Sequence, residues 1–187
     1  MTRRPARPNS SDSDRSLTTT STGKLLALYG SILMELRERG IVRSENSPVG
    51  DYAEFLAARA FGLTLARGAA IGYDGTDIAG VRYQVKGRRM TRWNPSRQLS
   101  TIRGLESGRG DPFDVLIGIL FHGDFAILRA ALLPLTVVRT QARPQPHVNG
   151  WRLMLTDAVW TLPGVRDVTD MVRAVVPAES DLREQTD

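Results

Sequence analysis

Apolar residues recur every three to four positions near the start of the chain, the period of an amphipathic helix. They predict a first helix over residues 23–39, capped by Thr22 and ended by Gly40. A second helix is predicted between Ser47, its N-cap, and Gly62, where it stops. The apolar face of the first helix contains Leu25, Leu28, Tyr29, Ile32, Leu33 and Leu36.

A β-hairpin is the next predicted element. Its strands are residues 71–77 and 81–86, and facing residues have numbers that sum to 158. Asp74 then lies opposite Gln84, and Lys86 extends from the same face one pleat further along. The hairpin therefore gathers a carboxylate, a carboxamide and an ammonium group.

A second pair of strands is predicted further along the chain. The nearly continuous apolar run of residues 113–121 is typical of a central strand buried on both faces. His122-Gly123 can form a turn into residues 125–132, so these two strands should pair antiparallel. The other predicted elements are a short strand at 63–66, at most a short helix at 98–105, a helix at 134–140, a loop at 142–149, a strand at 151–155 and a helix at 165–175.

The order of these elements predicts the fold class. Helices, then strands, then a further helix indicate an α/β chain with a mixed sheet covered by helices. The length of 187 residues suits one domain with tails. We expect a disordered basic, Ser/Thr-rich arm at 1–22, a domain at 23–176 and a flexible acidic tail at 177–187.

Composition and charge narrow the chemistry. The chain has no cysteine and two histidines, which excludes disulfides, thiol catalysis and histidine- or cysteine-rich metal sites. The net charge of +5 favours an anionic partner. Between residues 82 and 109, eight basic residues stand against one acid, Glu106, as a phosphate-binding surface requires. A solvated basic loop is the plain alternative.

Localisation follows from the absence of a long apolar segment in the sequence. No run approaches the ~20 apolar residues that span a bilayer, and residues 1–22 lack the apolar core of a secretory signal. We therefore expect a cytoplasmic protein without a membrane partner.

The hairpin side chains suit a divalent cation and a phosphodiester. Asp74 and Gln84 would supply metal ligands, and the backbone carbonyl of Val85 a further oxygen. Lys86 would orient the attacking water or stabilise the growing negative charge. A single carboxylate ligand is too few for a Mg²⁺ or Mn²⁺ site, so we expect Glu54 on the second helix to be the second acidic ligand.

Each candidate also has a purely structural interpretation. Asp74 precedes a glycine, which is common in turns, and Glu54 could be a capping or surface acid. Trp93, within the basic stretch, could stack on a base or simply pack. The residues expected to contact nucleic acid through phosphates are Arg88, Arg89, Arg92, Arg97, Gln98, Ser100 and Arg103.

Residues 50–134 resemble the PD-(D/E)xK, or restriction-endonuclease-like, nuclease superfamily. The resemblance is carried by GDYAE on a helix, GYD on a strand, RYQVKGRR on its partner, and the apolar pair FDVLIGILF and FAILRAALLP. More narrowly, the block is similar to bacterial proteins with a restriction-endonuclease-like domain. The resemblance implies an αβββαβ core, here with an extra N-terminal and a C-terminal helix, and Mg²⁺-dependent cleavage of DNA or, less often, RNA.

Carried over by position, Asp74 resembles the motif aspartate and Lys86 the motif lysine. Glu54 resembles the helix glutamate of resolvase-like members. Tyr73 replaces the motif proline, which changes little, whereas Gln84 replaces an acid and removes a negative charge from the metal site. Gln-x-Lys variants occur among active members, so the resemblance still implies activity, with weaker metal binding.

Three functions follow from this reasoning. The leading one is a metal-dependent nuclease that hydrolyses phosphodiester bonds, with DNA as its partner. The second is a non-catalytic nucleic-acid-binding module on the same fold. The third is a partner-dependent component of a defence or repair system. In that case the helix at 23–39 would dock a partner protein or a second copy, unless it packs on its own domain.

Overall fold

A computed structural model describes residues 17–66, 72–106 and 110–177. The chain divides into two compact units, Met1–Asn46 and Ser47–Asp187. Most of the predicted arm and nearly all of the predicted acidic tail lie outside the described residues, as does residue 71 of the predicted hairpin.

The first unit contains helix α1, Thr22–Glu38, which confirms the first predicted helix. Its N-cap is Ser21 rather than Thr22, because the Ser21 side chain accepts a hydrogen bond from the Lys24 N–H at 3.4 Å. Leu33 is the one buried residue of α1. The predicted apolar stripe is therefore present but largely exposed to solvent.

The second unit is built on a mixed sheet, as the sequence predicts. Its six strands lie in the order β1, β2, β3, β4, β5, β8, and β6 pairs with β7 in a separate two-stranded sheet. Strands β3 and β4 are parallel, and all other neighbours are antiparallel. The strand bounds are β1 Thr64–Leu65, β2 Gly75–Thr76, β3 Arg82–Arg89, β4 Val115–Phe121, β5 Ile127–Pro134, β6 Arg143–Gln145, β7 Gly150–Arg152 and β8 Arg166–Asp167.

Three α-helices accompany this sheet: α2 Val49–Phe61, α3 Leu135–Gln141 and α4 Thr169–Arg173. Helix α2 confirms the second predicted helix, although Pro48 rather than Ser47 is its N-cap. Gly62 ends it in a left-handed conformation, with φ of 63°. Helix α3 confirms the predicted helix at 134–140.

Two apolar clusters cover the two faces of β4, which confirms it as a central buried strand. Ile117, Ile119 and Phe121 pack with the inner face of α2. Leu116 and Leu120 belong to the cluster on the opposite face. All five of these side chains are at most 1% exposed. Helices α2 and α4 therefore contribute to the cluster on one face of the sheet, and helix α3 and the irregular segments contribute to the cluster on the other.

The crossover from β3 to β4 is the main departure from the expected fold. Neither the short helix predicted at 98–105 nor the second core helix of an αβββαβ order is present in residues 90–106 and 110–114. Gln98 and Ile102 instead form β-bridges with Met154 and Trp151. These bridges provide hydrogen-bond partners for the backbone of the extended crossover. The side chains of Leu99, Ile102 and Leu105 are buried.

Three smaller predictions are also corrected. The predicted loop at 142–149 contains β6, which pairs with β7. The predicted helix at 165–175 is an edge strand, β8, followed by the short helix α4. The helix begins late because Asp167 accepts a hydrogen bond from the Thr169 N–H at 3.0 Å while β8 pairs with β5. The turn between β4 and β5 spans four to five residues, with His122 N–H donating to the Ala126 carbonyl at 2.8 Å.

Candidate functional site

The hairpin has the predicted register. Gly75 pairs with Tyr83 and Thr76 with Arg82, so the paired numbers sum to 158. The Asp74 N–H donates to the Tyr83 carbonyl at 2.7 Å, although Tyr83 pairs with Gly75, so the pairing is irregular at Asp74. The strand itself is shorter than predicted, since β2 has two residues.

Asp74 and Gln84 are in contact through their side chains, as predicted. One carboxylate oxygen of Asp74, Oδ2, accepts hydrogen bonds from the Val85 N–H at 2.6 Å and from Gln84 Nε2. Gln84 is one of the few buried polar side chains, with 7% of its surface exposed. The amide nitrogen of Gln84 faces the carboxylate, so its oxygen faces away.

Within the described residues, the pairing of β2 with β3 ends at Gly75 and Tyr83. The Arg82 carbonyl and the Met90 N–H bond to residues at the two ends of β4, so even-numbered residues direct their backbone groups toward β4. Odd-numbered residues direct theirs to the other edge. The Val85 carbonyl therefore lies on the same edge as Asp74, as the predicted ligand set requires.

The side chains of β3 alternate between two faces. A Cβ atom at Gly87 would lie 2.9 Å from Ala53 Cβ of α2, and Val85 packs in the same cluster. Gln84 and Lys86 therefore extend from the face opposite α2. The structure thus brings Asp74, Gln84 and the Val85 backbone into contact, and Lys86 lies on the same face of β3 as Gln84.

Glu54 approaches this stretch from a different direction. The Tyr52 ring stacks on Phe121 of β4 at 5.5 Å, and Ala53 faces β3. Glu54 follows about 100° further around the helix, on the flank of α2 away from Phe121. Among the described residues no group of three His, Cys, Asp or Glu side chains is placed to hold a metal ion.

An open cleft of about 420 Å³ lies at the far end of β3. Ser47 and Val49 at the start of α2, residues 87–89 of β3, and Thr91 and Asn94 of the following turn line it. None of these residues is acidic. Arg88 and Arg89, both predicted to contact nucleic acid, therefore both border this cleft.

The other predicted nucleic-acid residues are not part of this cleft. Arg97 forms an ion pair with Asp157 at 2.7 Å, and its hydrogen bond lowers the pKa of that carboxyl group. Gln98 takes part in a backbone bridge, while Ser100 and Arg103 are exposed. The structure therefore spreads the predicted basic surface over several environments.

Arg92 and Trp93 form an exposed pair beside the cleft. The Arg92 guanidinium lies over the Trp93 ring at 4.4 Å, and Trp93 is 74% exposed. The packing interpretation of Trp93 is therefore wrong, and its ring is accessible for stacking.

Several residues of the site were not identified from sequence. Ser47, Thr91 and Asn94 line the cleft, and Phe125 supports Arg89, whose guanidinium lies 4.7 Å from the ring centroid. The Asn94-Pro95 dipeptide after a basic strand is a turn signal that indicated where the chain reverses. Nothing local indicated Phe125, which comes from a different hairpin.

Comparisons with family models and with curated proteins were made for the whole chain. No family model matches the chain, and no curated protein matches it. Within the described residues, no helix is both long and apolar enough to cross a bilayer. The geometry of β3 and its neighbours is thus the basis for assigning a function.

Proposed function

We propose that the second unit is a Mg²⁺-dependent nuclease that hydrolyses phosphodiester bonds in DNA, on a restriction-endonuclease-like fold. The observation that carries the proposal is the β2–β3 register. It places Asp74 against Gln84 where the pairing of the two strands ends, with Lys86 on the same face.

The fold supports the proposal in part. A helix precedes the hairpin, and a parallel strand follows β3, as in an αβββαβ core. The helix between β3 and β4 is replaced by an extended crossover over the same face. We therefore propose that the chain has this fold with a modified crossover.

The donor set fits a hard divalent cation. Asp74 offers a carboxylate, Val85 a carbonyl at the same edge, and Gln84 a carboxamide oxygen, all of which suit Mg²⁺ or Mn²⁺. Gln84 must first turn its amide, because Nε2 faces Asp74 in the structure. Glu54 would join from the flank of α2. A bound cation supplies charge stabilisation at phosphorus and an acidified water.

The protein's own groups would orient the carboxylate and bind the phosphates. The Val85 N–H holds the Asp74 carboxylate in a fixed orientation at 2.6 Å, so little ordering is left for substrate binding. Lys86 places a positive charge on the face where negative charge grows at the phosphate oxygens. Arg88 and Arg89 hold phosphates further along the strand.

The test compares cleavage and binding in matched variants. Asp74→Asn and Lys86→Met should each lower the rate of plasmid and single-strand cleavage in Mg²⁺ or Mn²⁺ by at least about 100-fold. DNA affinity, measured by fluorescence anisotropy with EDTA present, should change little. Asp170→Asn is the control, because Asp170 is an exposed acid on α4 away from the hairpin. Unchanged cleavage in both site variants would contradict the proposal.

A non-catalytic nucleic-acid-binding module is the second candidate, and one observation favours it. The Gln84 amide donates to Asp74, so the carboxylate is satisfied without a cation. Gln84→Glu separates the candidates, since a second acid strengthens metal binding in a nuclease. Cleavage by wild type that increases in Gln84→Glu supports the nuclease, while salt-sensitive binding without cleavage in wild type supports the module.

A further inference from the structure

Trp93 differs from the other two tryptophans of the chain in its exposure to solvent. Trp93 is 74% exposed. Trp151 and Trp160 are partly buried and pack against one of the two core clusters. The Trp160 ring also donates from Nε1 to the Ala130 carbonyl at 3.4 Å. Trp93 therefore adds little to the core, and its ring is available to a ligand.

A tight, well-anchored turn holds Trp93 in this exposed position. The Asn94 N–H donates to the Thr91 carbonyl at 3.0 Å, and the Thr91 N–H donates to the Asn94 carbonyl at 3.1 Å. Thr91 Oγ1 also accepts from the Asn94 N–H at 3.1 Å. Arg88 connects the turn to β3, because it donates to Asn94 Oδ1 at 2.7 Å and to the Ser96 carbonyl at 2.9 Å. The ring is thus fixed before any ligand arrives, which lowers the entropy cost of binding.

Arg92 occupies one face of the Trp93 ring and determines what the other face can bind. The Arg92 guanidinium lies 4.4 Å from the ring centroid. Because Trp93 is largely exposed, the opposite face is left for a ligand. A cationic ligand is disfavoured there, since Arg92 already carries a positive charge beside the ring. The pair instead suits a ligand that combines a flat aromatic ring with a negative charge.

We propose that Trp93 and Arg92 bind an unpaired nucleotide of a single strand, with the base stacked on the free face of the indole and its phosphate beside Arg92. A nucleotide joins a flat aromatic base to a negative charge, as this pair requires. In a duplex the bases are stacked on one another, so the ring can reach a base only where it is unpaired. That the substrate of the nuclease contains such a single-stranded segment rests on the proposed function.

The turn is separate from the candidate catalytic residues. Arg89, the last residue of β3, lies five residues beyond Gln84, or about 16 Å at ~3.3 Å per residue. Trp93 follows still further along the chain, so its substitution should leave Asp74 and Gln84 in contact. Binding at the turn can be measured in metal-free buffer, where no metal-dependent cleavage occurs.

The first experiment uses the unaltered full-length protein. A single-stranded DNA oligonucleotide is compared with a strand of equal length in which every base is replaced by an abasic site. Affinity is measured by fluorescence anisotropy with EDTA at constant ionic strength. The two strands carry the same charge, so we expect the bases alone to tighten binding by about tenfold. Equal affinity for the two strands overturns the proposal.

The second experiment tests the ring itself. Trp93→Ala should lose about tenfold in affinity for the single strand and nothing for its duplex. The slope of log affinity against log salt concentration should not change, because stacking releases no counterions. Trp93→Phe should keep most of the affinity, since it retains an aromatic ring. Tyr29→Ala is the control, because it removes a ring that is 50% exposed on the first unit. Wild-type affinity of Trp93→Ala for the single strand overturns the proposal and leaves the ring as a candidate protein contact.

The two proposals fail in different ways. Cleavage of DNA by wild type, together with equal binding of the base-bearing and abasic strands, would remove the stacking proposal and leave the nuclease. A preference for the base-bearing strand that disappears in Trp93→Ala, without cleavage in any metal, would remove the nuclease and leave the turn as a single-strand binding site.

Discussion

Two groups of arginines in the second unit differ in what neutralises them. Arg97 and Arg129 share the carboxylate of Asp157, at 2.7 and 3.3 Å, and Arg129 also reaches Asp167 at 3.0 Å. Arg88 and Arg89 bond instead to carbonyl oxygens and a carboxamide. The first group joins separate segments of the chain, while the second retains its full charge beside an open cleft.

The difference shows that a basic cluster in the sequence is not yet a binding surface. Arg88 and Arg97 are nine residues apart and look equivalent in the sequence. The two arginines differ because the fold brings an acid to Arg97 and, among the described residues, none to Arg88. The ion pair at Arg97 cancels most of the electrostatic field that a distant phosphate would feel. Arg88 and Arg89 are thus expected to contribute more to nucleic-acid affinity than Arg97 and Arg129.

The largest expected effect comes from removing the charges of Arg88 and Arg89. Arg88→Gln with Arg89→Gln should weaken DNA binding about 100-fold, at about tenfold for each charged contact. The slope of log affinity against log salt concentration should decrease by about 2, because two phosphate contacts are lost. Fluorescence anisotropy titrations across a salt series measure both quantities.

The matched double variant sharpens the comparison. Arg97→Gln with Arg129→Gln removes the same charge from the acid-paired group, so DNA affinity should change less than about threefold. Its effect should appear in urea denaturation instead, because the links to Asp157 and Asp167 are lost. Equal losses of affinity in the two double variants would show that counter-charges do not distinguish these groups.

A smaller effect is expected for another acid-paired arginine, Arg82. Asp114 accepts from Arg82 Nη2 at 2.7 Å and from Nε at 3.1 Å, and this side-chain hydrogen bonding lowers the pKa of Asp114. A lowered pKa means that the folded state prefers the ionised form. The contribution to stability is therefore complete above the unfolded-state pKa, near 4, and is lost as pH falls through the folded pKa.

Asp114→Asn should therefore lower the free energy of unfolding by about 1 kcal/mol at pH 7, since the pair is partly exposed to solvent. The difference from wild type should decrease as the pH falls below about 4. Urea denaturation at several pH values measures this difference. The control is Asp170→Asn, whose carboxylate lies 3.4 Å from Arg173 and is 96% exposed. A difference that persists unchanged at low pH would contradict the ion-pair explanation.

The parts of the fold that were predictable depend on local patterns. The hairpin register followed from the alternation around Asp77–Gly80, and the structure explains it. Asp77 Oδ1 accepts the N–H groups of Ala79 and Val81 at 2.9 and 3.0 Å, and Gly80 has φ of 80°. The buried strand β4 followed from its continuous apolar run. The contact between Asp74 and Gln84 was predictable because the turn fixes it.

The parts that were not predictable depend on residues far apart in the chain. The crossover is extended because Ile102 pairs with Trp151, 49 residues later, and no local pattern encodes that pairing. The difference in charge environment between Arg97 and Arg88 likewise depends on Asp157, which lies 60 residues after Arg97 in the chain. The residue types in the sequence identified the candidate phosphate-binding residues. Contacts between distant parts of the chain then determined which of these residues remain available to bind a ligand.

The smallest expected effect concerns the support of Arg89. Phe125 has φ of 67°, an unfavourable conformation for a bulky residue, and its ring lies under the Arg89 guanidinium at 4.7 Å. Asparagine tolerates this backbone conformation but has no ring, so Phe125→Asn separates the ring's effect from the backbone's. A lost cation–π contact of about 0.5–1 kcal/mol corresponds to an approximately threefold loss of affinity for the oligonucleotide.

Phe125→Tyr is the matched control, because it keeps an aromatic ring under Arg89 and should bind DNA like wild type. Anisotropy titrations at low salt can resolve a threefold change. If Phe125→Asn binds as tightly as Phe125→Tyr, the hydrogen bond from Arg89 to the Gly123 carbonyl is sufficient to orient the guanidinium. The left-handed conformation of Phe125 would then serve the packing of its ring against Tyr52 and Phe121 rather than the cleft.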